Sequence, residues 1–235
     1  MAKRKIVQAA RAAFPFTLPM MGGFLFLSMA YSILMLSVGF GPWYPVLMSV
    51  VIFAGAMQFV AVNLFTQPFA PVNALALTLL VNARHMFYGL SLLDTYRDVG
   101  KKKWFLIYAL CDETFSIACS VEVPDGVDRG WFYFFVSFFN NSYWIIGTAI
   151  GAFSGGLLPF DLTGIDFAMT ALFLVIFVNR WEAEEHHISS LCGLGVSILC
   201  LILFGPDKFI VASMAGMLVI LTALRRPIDQ REGIL

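Results

Sequence analysis

Charge is scarce in this sequence. Only 13% of its 235 residues are Asp, Glu, Lys or Arg, against 60% apolar residues, and the acidic and basic side chains cancel at 15 each. With a mean hydropathy of +0.83, the chain lies outside the composition of an ordinary soluble domain. Zero net charge removes the basis for a nucleic-acid partner. Cysteine is also sparse. Cys111, Cys119, Cys192 and Cys200 each sit inside an apolar segment, without a disulfide framework or zinc spacing, and read as small packing residues. Long polar stretches are missing as well: no loop exceeds roughly a dozen residues, which leaves no room for a soluble catalytic domain. No nucleotide-binding motif is present, so ATP is not the direct energy source within this subunit. The basic start, Met1 to Arg11, runs into apolar sequence without a small-residue cleavage site, and no removable signal peptide is expected.

What is abundant is apolar sequence in runs of bilayer-spanning length. The expectation is an all-α polytopic membrane protein with about 7–8 membrane-embedded helices, forming a single integral membrane domain over residues 1–235. Trp43, Tyr44, Trp104, Trp131 and Trp181 fall near run ends, as interfacial anchors do. The first run, Phe14 to Gly39, contains Pro15, Pro19, Gly22 and Gly23, so a kinked or unwound helix near Pro19 to Gly23 is predicted. Such broken backbone makes Gly22 and Gly23 candidates for a half-helix binding site, beside the plainer reading of a proline kink. The second run, Val46 to Phe65, places Gln58 among small residues. The third spans Ala74 to Leu93, the fourth Trp104 to Val121 and the fifth Trp131 to Phe153. A sixth run, Ile165 to Val178, and two shorter ones, Ile188 to Phe204 and Lys208 to Leu224, complete the chain. The halves 14–121 and 130–225 resemble each other in outline and suggest an internal repeat.

The third run holds the least comfortable residues: Asn82, Arg84 and His85 lie near its middle. An ionisable side chain there costs at least about 2.5–3.5 kcal/mol on insertion scales unless it is paired or wet. At 100° per residue, Thr78, Asn82, His85 and Gly89 share one face, while Arg84 and Tyr88 point away from it. Asp112 and Glu113 on the fourth run are the natural carboxylate partners for Arg84 or His85, or proton carriers. On the fifth run Ser137, Asn140, Asn141, Trp144, Thr148, Gly151 and Gly155 form one stripe that reads as a cavity lining, with the glycines also spelling a helix-packing pattern. Two readings stay open for these groups: a structural clamp between helices, or a substrate and proton pathway. Glu182, Glu184, Glu185, His186 and His187 read as a solvated turn rather than a metal site. The basic loop Asp94 to Lys103 belongs in the cytoplasm by the positive-inside rule. Three full crossings from a cytoplasmic N-terminus would put it outside, so either an early segment is re-entrant or the rule is overridden.

Four motifs, FAGAMQFVAVNLF at 53–65, NARHMFYGLSL at 82–92, DETF at 112–115 and FFNNSYWIIGTAIG at 138–151, resemble in order and spacing the AzlC family, which includes YgaZ. The likeness runs from about Phe14 to Leu224. It implies the large subunit of a branched-chain amino acid exporter, moving valine, isoleucine, leucine and methionine across a bacterial inner membrane with a small AzlD-type membrane partner and no cofactor. The family pattern marks Gln58, Asn82, Arg84, His85, Asp112, Glu113, Asn140 and Asn141. On this reading Arg84 or freed amides at Met20 to Gly23 meet the substrate carboxylate. Gln58, Asn82, Asn140, Asn141 and Trp144 complete the site, and His85 with Asp112 or Glu113 couples transport to protons. A passive channel, a structural subunit and a membrane-embedded enzyme are the rival functions.

Overall fold

The structure is a computed structural model that describes residues 2–155, Phe69 aside, the helix Ile188–Phe204 with Gly205, and scattered positions around that helix. Most of the expected sixth run, of the run after Pro206 and of the second repeat half, and all of the polar tail, lie outside the described residues, as do Glu184, Glu185 and His186. Among the described residues every regular element is helical. They are α1 (Ala2–Ser37), α2 (Trp43–Val51), α3 (Gly55–Thr66), α4 (Pro71–Ser91), a 3-10 turn (Gly100–Lys102), α5 (Lys103–Tyr108), α6 (Asp112–Ser120), α7 (Arg129–Ser154) and α8 (Ile188–Phe204). The chain divides into two compact units, Met1–Met169 and Thr170–Leu235.

One described helix, Lys3–Ser37, is long and apolar enough to cross a membrane by length and composition alone. Helix α4, with 21 residues, and α7, with 26, have spanning length too, at about 1.5 Å per residue. Their polar side chains lower the average, but on α7 these are turned inward. Ser137, Asn140, Asn141, Trp144 and Thr148 are buried, while Phe138, Ile146, Ile150 and Phe153 are exposed.

The expected break in the first run is absent. Helix α1 is continuous over 36 residues with Pro15 and Pro19 inside it. Each proline withholds one amide from the carbonyl four residues back. Because the two are spaced by four, both losses fall on one stripe, and the helix is held along its other side by α7, its largest helix partner. The Thr17 hydroxyl, bonded to the Phe14 carbonyl (2.9 Å) and 3.1 Å from the Tyr143 hydroxyl, lies in that stretch. The amides of Gly22 and Gly23 are therefore spent inside the helix, and both glycines face outward with nothing within 4 Å of an added Cβ.

Helices α1 and α7 run parallel. Residues of increasing number meet in order: Phe14 with Phe139, Phe24 with Trp144, then Gly147 against Leu25 and Ser28, Gly151 against Met29 and Ser32, and Gly155 against Ile33 and Leu36. A Cβ on Gly147 would lie 2.0 Å from Ser28 Oγ, and one on Gly151 2.2 Å from Ser32 Oγ, so the four-residue glycine spacing sets how closely the backbones approach.

The broken backbone occurs in the second and fourth runs instead, each of which was expected as one helix. At 52–54 the chain leaves α2 through Phe53, whose φ of 42° is the one positive value at a non-glycine among the described residues, and restarts as α3. The two pieces fold back on each other. Ser49 and Gln58 are hydrogen-bonded at 3.0 Å although a straight helix would separate their Cα atoms by about 13.5 Å. Tyr31 meets both Met48 and Phe59, and Phe40 meets both Tyr44 and Phe65. So the start of α2 and the end of α3 lie at one end.

At 109–111 the chain reverses again. Helix α5 begins beside the start of α7, with Phe105 on Phe134 and the Lys102 ammonium over the Trp131 ring. Helix α6 begins at the middle of α7, where Asn140 bonds Thr114, and then returns: Ile117 and Ala118 join Leu106, Phe132 and Val136 in one core cluster. That cluster also contains Ala13 of α1 and Leu92, Tyr96 and Val99 from the end of α4, so α4 ends where α1 begins. The result is a helix and hairpin, α1 with α2–α3, followed by a second helix and hairpin of opposite direction, α4 with α5–α6, and then α7.

The smaller unit shows α8 on the predicted run, with His187 at its start stacked on Trp181 at 4.0 Å. No group of metal-ligating side chains occurs among the described residues. None of the four cysteines forms a disulfide among the described residues: Cys200 is buried, Cys111 and Cys192 half-buried, and Cys119 exposed.

Candidate functional site

The tips of the two hairpins meet. The Tyr108 hydroxyl, at the end of α5, donates to the Val50 carbonyl at the end of α2, satisfying one of the acceptors that a terminating helix leaves open. The rings of Phe53 and Tyr108 lie 6.3 Å apart, and Asn141 of α7 stands beside the Tyr108 hydroxyl. Positive φ at a bulky residue costs on the order of 1–3 kcal/mol, and this Phe53 is buried and held by its neighbours. Irregular backbone of this kind, in the interior of an apolar protein, is the setting in which transporters build binding sites.

A cavity of about 680 Å³ lies beside the tips, within the range of small-molecule sites. Ile52, Phe53 and Ala54 form one wall, Asn82, His85, Met86 and Gly89 of α4 a second, and Ile107, Tyr108 and Leu110 a third; it extends to Leu93, Tyr96 and Lys103. Its lining is mostly apolar. The helical-wheel face of Asn82, His85 and Gly89 is the face that α4 turns to this cavity.

The other face of α4 carries the charge. Arg84 Nη1 lies 3.0 Å from Asp112 Oδ2, and the Tyr88 hydroxyl donates to Asp112 Oδ1 at 2.8 Å. Tyr88 in turn stacks on Phe115 at 4.2 Å. Asp112 is the first residue of α6 and Glu113 the second, so both carboxylates sit at a helix start, where the backbone dipole favours negative charge. Glu113 is buried and Asp112 partly so. A single helix over the fourth run would put Tyr108, Asp112, Ser116 and Cys119 on one face, but the break at 109–111 puts Tyr108 on a different helix.

Gln58 and Trp144 belong to a third group. Trp144 Nε1 donates to Gln58 Oε1 at 2.8 Å, Gln58 Nε2 donates to Ser49 Oγ at 3.0 Å, and the Thr148 hydroxyl donates to the Trp144 carbonyl at 2.8 Å. With its proton so committed, Thr148 accepts from Ser49, 2.9 Å away. Every member of this closed network is buried, and it fastens both arms of the first hairpin to α7. The Trp144 indole lies against the start of α3, so close that a Cβ on Gly55 would stand 2.9 Å from it.

Asn140 Nδ2 donates to Thr114 Oγ1 at 3.3 Å, while its Oδ1, Asn141 Nδ2 and Ser137 Oγ are buried without a protein partner among the described residues. Gly22 and Gly23 join none of these groups. The named side chains thus divide into a cavity face (Asn82, His85), an ion pair (Arg84, Asp112) with Glu113 beside it, a clamp (Gln58, Trp144) and open amides on α7 (Asn140, Asn141). Sequence reasoning missed Ser49, Tyr88 as a ligand of Asp112, and the tip backbone at 52–54. The available signal was that neither Phe53-Ala54-Gly55 nor Ala109-Leu110-Cys111 needs to be helical for its neighbours to be.

The family model described as AzlC protein matches residues 19–158. The chain is 53% identical over 233 residues to the branched-chain amino acid transport protein AzlC of Bacillus subtilis, covering 99% of this chain and 92% of that protein. It is 45% identical over 218 residues to an uncharacterized membrane protein of Haemophilus influenzae, with 92% and 89% covered. It is 30% identical over 185 residues to the inner membrane protein YgaZ of Escherichia coli, with 75% and 73% covered. No solved structure matches.

Proposed function

The chain belongs to the AzlC protein family, whose members among its relatives are named as membrane and transport proteins, and from that premise we propose that it exports branched-chain amino acids. The observation that carries this reading is the cavity of about 680 Å³ at the meeting of two broken helices, apolar over most of its wall, with Asn82 and His85 of α4 in its lining and the Arg84–Asp112 pair on the neighbouring face of the same helix. Valine, leucine or isoleucine needs an apolar wall for its side chain and fixed polar groups for its two charged ends. Ile52, Phe53, Met86, Leu93 and Ile107 provide the wall.

Arg84 is the cation for the substrate carboxylate, which it reaches by exchanging Asp112 for the incoming carboxylate. Asp112, released from its cation, then takes up a proton, with His85 and the buried Glu113 next to it as relay groups. The open Asn140 Oδ1 accepts from the substrate ammonium, and the open Asn141 Nδ2 donates to water. Gln58 and Trp144 position the first hairpin, so that its tip backbone stays at the cavity wall. A small AzlD-type membrane subunit completes the transporter in the bacterial inner membrane, and the proton gradient drives it.

Valine efflux tests this. Cells loaded with a valine-containing dipeptide, with this protein and a small AzlD-type partner, are expected to export valine against its gradient and to stop on addition of a protonophore. Arg84→Ala and His85→Ala, at normal membrane abundance, are expected to lower the rate at least tenfold. Efflux that only runs downhill indicates a channel, and no efflux from any well-expressed combination removes the assignment.

A further inference from the structure

Every Lys and Arg in residues 1–155 other than Arg84 lies at one end of the larger unit. Lys3, Arg4, Lys5 and Arg11 are on the first turns of α1; Arg97, Lys101, Lys102 and Lys103 follow α4; Arg129 opens α7. The core cluster of Ala13, Leu92, Tyr96, Val99, Leu106, Phe132 and Tyr133 ties these segments together. The other end, made by the turn between α1 and α2 and the turn between α3 and α4, has no charged residue among the described residues: none occurs from residue 38 to residue 70. Trp43 and Phe153, 5.1 Å apart, place the end of α7 at this uncharged end.

We propose that α2–α3 and α5–α6 are re-entrant hairpins dipping into the bilayer from opposite sides, the first from outside and the second from the cytoplasm, and that the cavity at their tips opens to the cytoplasm. Three facts carry it. Each hairpin returns to the end it left, as the pairs Tyr44 with Phe65 through Phe40, and Leu106 with Ala118 through the core cluster, establish. The tips meet at the level of Asn140 and Trp144, close to the midpoint of the 26-residue α7. The cavity runs from the tip of the first hairpin along α4 and α5 to Leu93, Tyr96 and Lys103, at the basic end. The positive-inside rule then assigns that end to the cytoplasm.

This topology removes the conflict in the charge count, since a hairpin does not change sides. Helix α1 crosses outward, α2–α3 leaves the chain outside, α4 crosses back, and the basic loop after it is cytoplasmic with the N-terminus. On the toward-outside path the Tyr108–Val50 contact and the Gln58–Trp144–Ser49–Thr148 clamp stand closed. If the export reading of the preceding subsection holds, this is the loading state of the cycle, in which substrate enters from the cytoplasm.

Sided thiol labelling tests the topology without any substrate. Single cysteines replace Gln67, Asp98 or Asp125, all exposed, and Met86 or Ile107 in the cavity, each in the wild-type background, with modification assigned by peptide mass. A membrane-impermeant maleimide is applied to intact cells or spheroplasts and to inverted vesicles. Gln67→Cys is expected to react only from outside, and Asp98→Cys and Asp125→Cys only from the cytoplasmic side. Met86→Cys and Ile107→Cys are expected to react at least tenfold faster from the cytoplasmic side. Reaction of Gln67→Cys from the cytoplasm, or of Asp98→Cys from outside, overturns the hairpins; faster reaction of both cavity positions from outside, or of neither from either side, overturns the cytoplasmic opening. Protection of Ile107→Cys by leucine is read separately and bears on the substrate alone, so topology and export fail independently.

Discussion

Arg84 and Asp112 are the residues on which the structural and the functional readings part company. A carboxylate and a guanidinium 3.0 Å apart, with side chains 17% and 30% exposed, hold α4 to the start of α6. Removing one partner of a fully buried pair destabilises by roughly 3–5 kcal/mol, and the residual exposure here lowers that to about 2–3 kcal/mol. Arg84→Met alone should therefore lower the unfolding midpoint in detergent, whereas Arg84→Met with Asp112→Leu should restore it to near the wild-type value. If the pair serves transport, the double variant is stable and inactive. An active double variant would reduce the pair to a clamp. The residue-scale outline was visible in the amino-acid order, because the 100° advance along α4 separates the Asn82–His85 face from the Arg84–Tyr88 face whatever surrounds the helix. Which carboxylate Arg84 takes was open between Asp112 and Glu113, and the reversal of the chain at 109–111 decided it.

At the scale of elements, α1 and α7 form the frame against which both hairpins are set. Their glycines differ in kind although the sequence shows them alike. An alanine at Gly147 puts its Cβ 2.0 Å from Ser28 Oγ and 2.7 Å from the Leu25 carbonyl oxygen, so the helices must separate, at a cost of about 1–3 kcal/mol. An alanine at Gly22 meets nothing within 4 Å and gains about 0.5–1 kcal/mol of helix propensity. Thermal unfolding of the two purified variants in the same detergent should shift in opposite directions. A fall for Gly22→Ala would bring back the unwound first helix that its prolines and glycines suggested. Helix-breaking residues report where a helix can break, and packing along α7 decides whether it does. The breaks that exist, at 52–54 and 109–111, carry no proline and fall where the hairpin tips answer each other with hydrogen bonds and ring contacts.

For the whole molecule, orientation follows from the gathering of basic side chains at one end of a unit whose other end carries no charge among the described residues. Neutralising Lys101, Lys102 and Lys103 to Gln while placing three lysines in the turn between α1 and α2 should leave part of the population inverted. Gln67→Cys in that background should then become reactive from both sides, where in the parent it reacts from one; unchanged one-sided labelling would mean that orientation is set elsewhere. Composition and the length of the apolar runs determined that the chain is helical and belongs in a membrane, since so little charge cannot coat a soluble surface and runs of about 20 apolar residues suit spanning helices. The spacing of Asn82, Arg84, His85, Asp112, Glu113, Asn140 and Asn141 marked the polar interior, because each such group is tolerated in apolar surroundings only near another. Only the tertiary structure decided that two of the apolar runs turn back on themselves. The reversal depends on contacts between residues far apart in the chain, Ser49 and Gln58 with Trp144 and Thr148, and Tyr108 with Val50, and local periodicity holds no record of them.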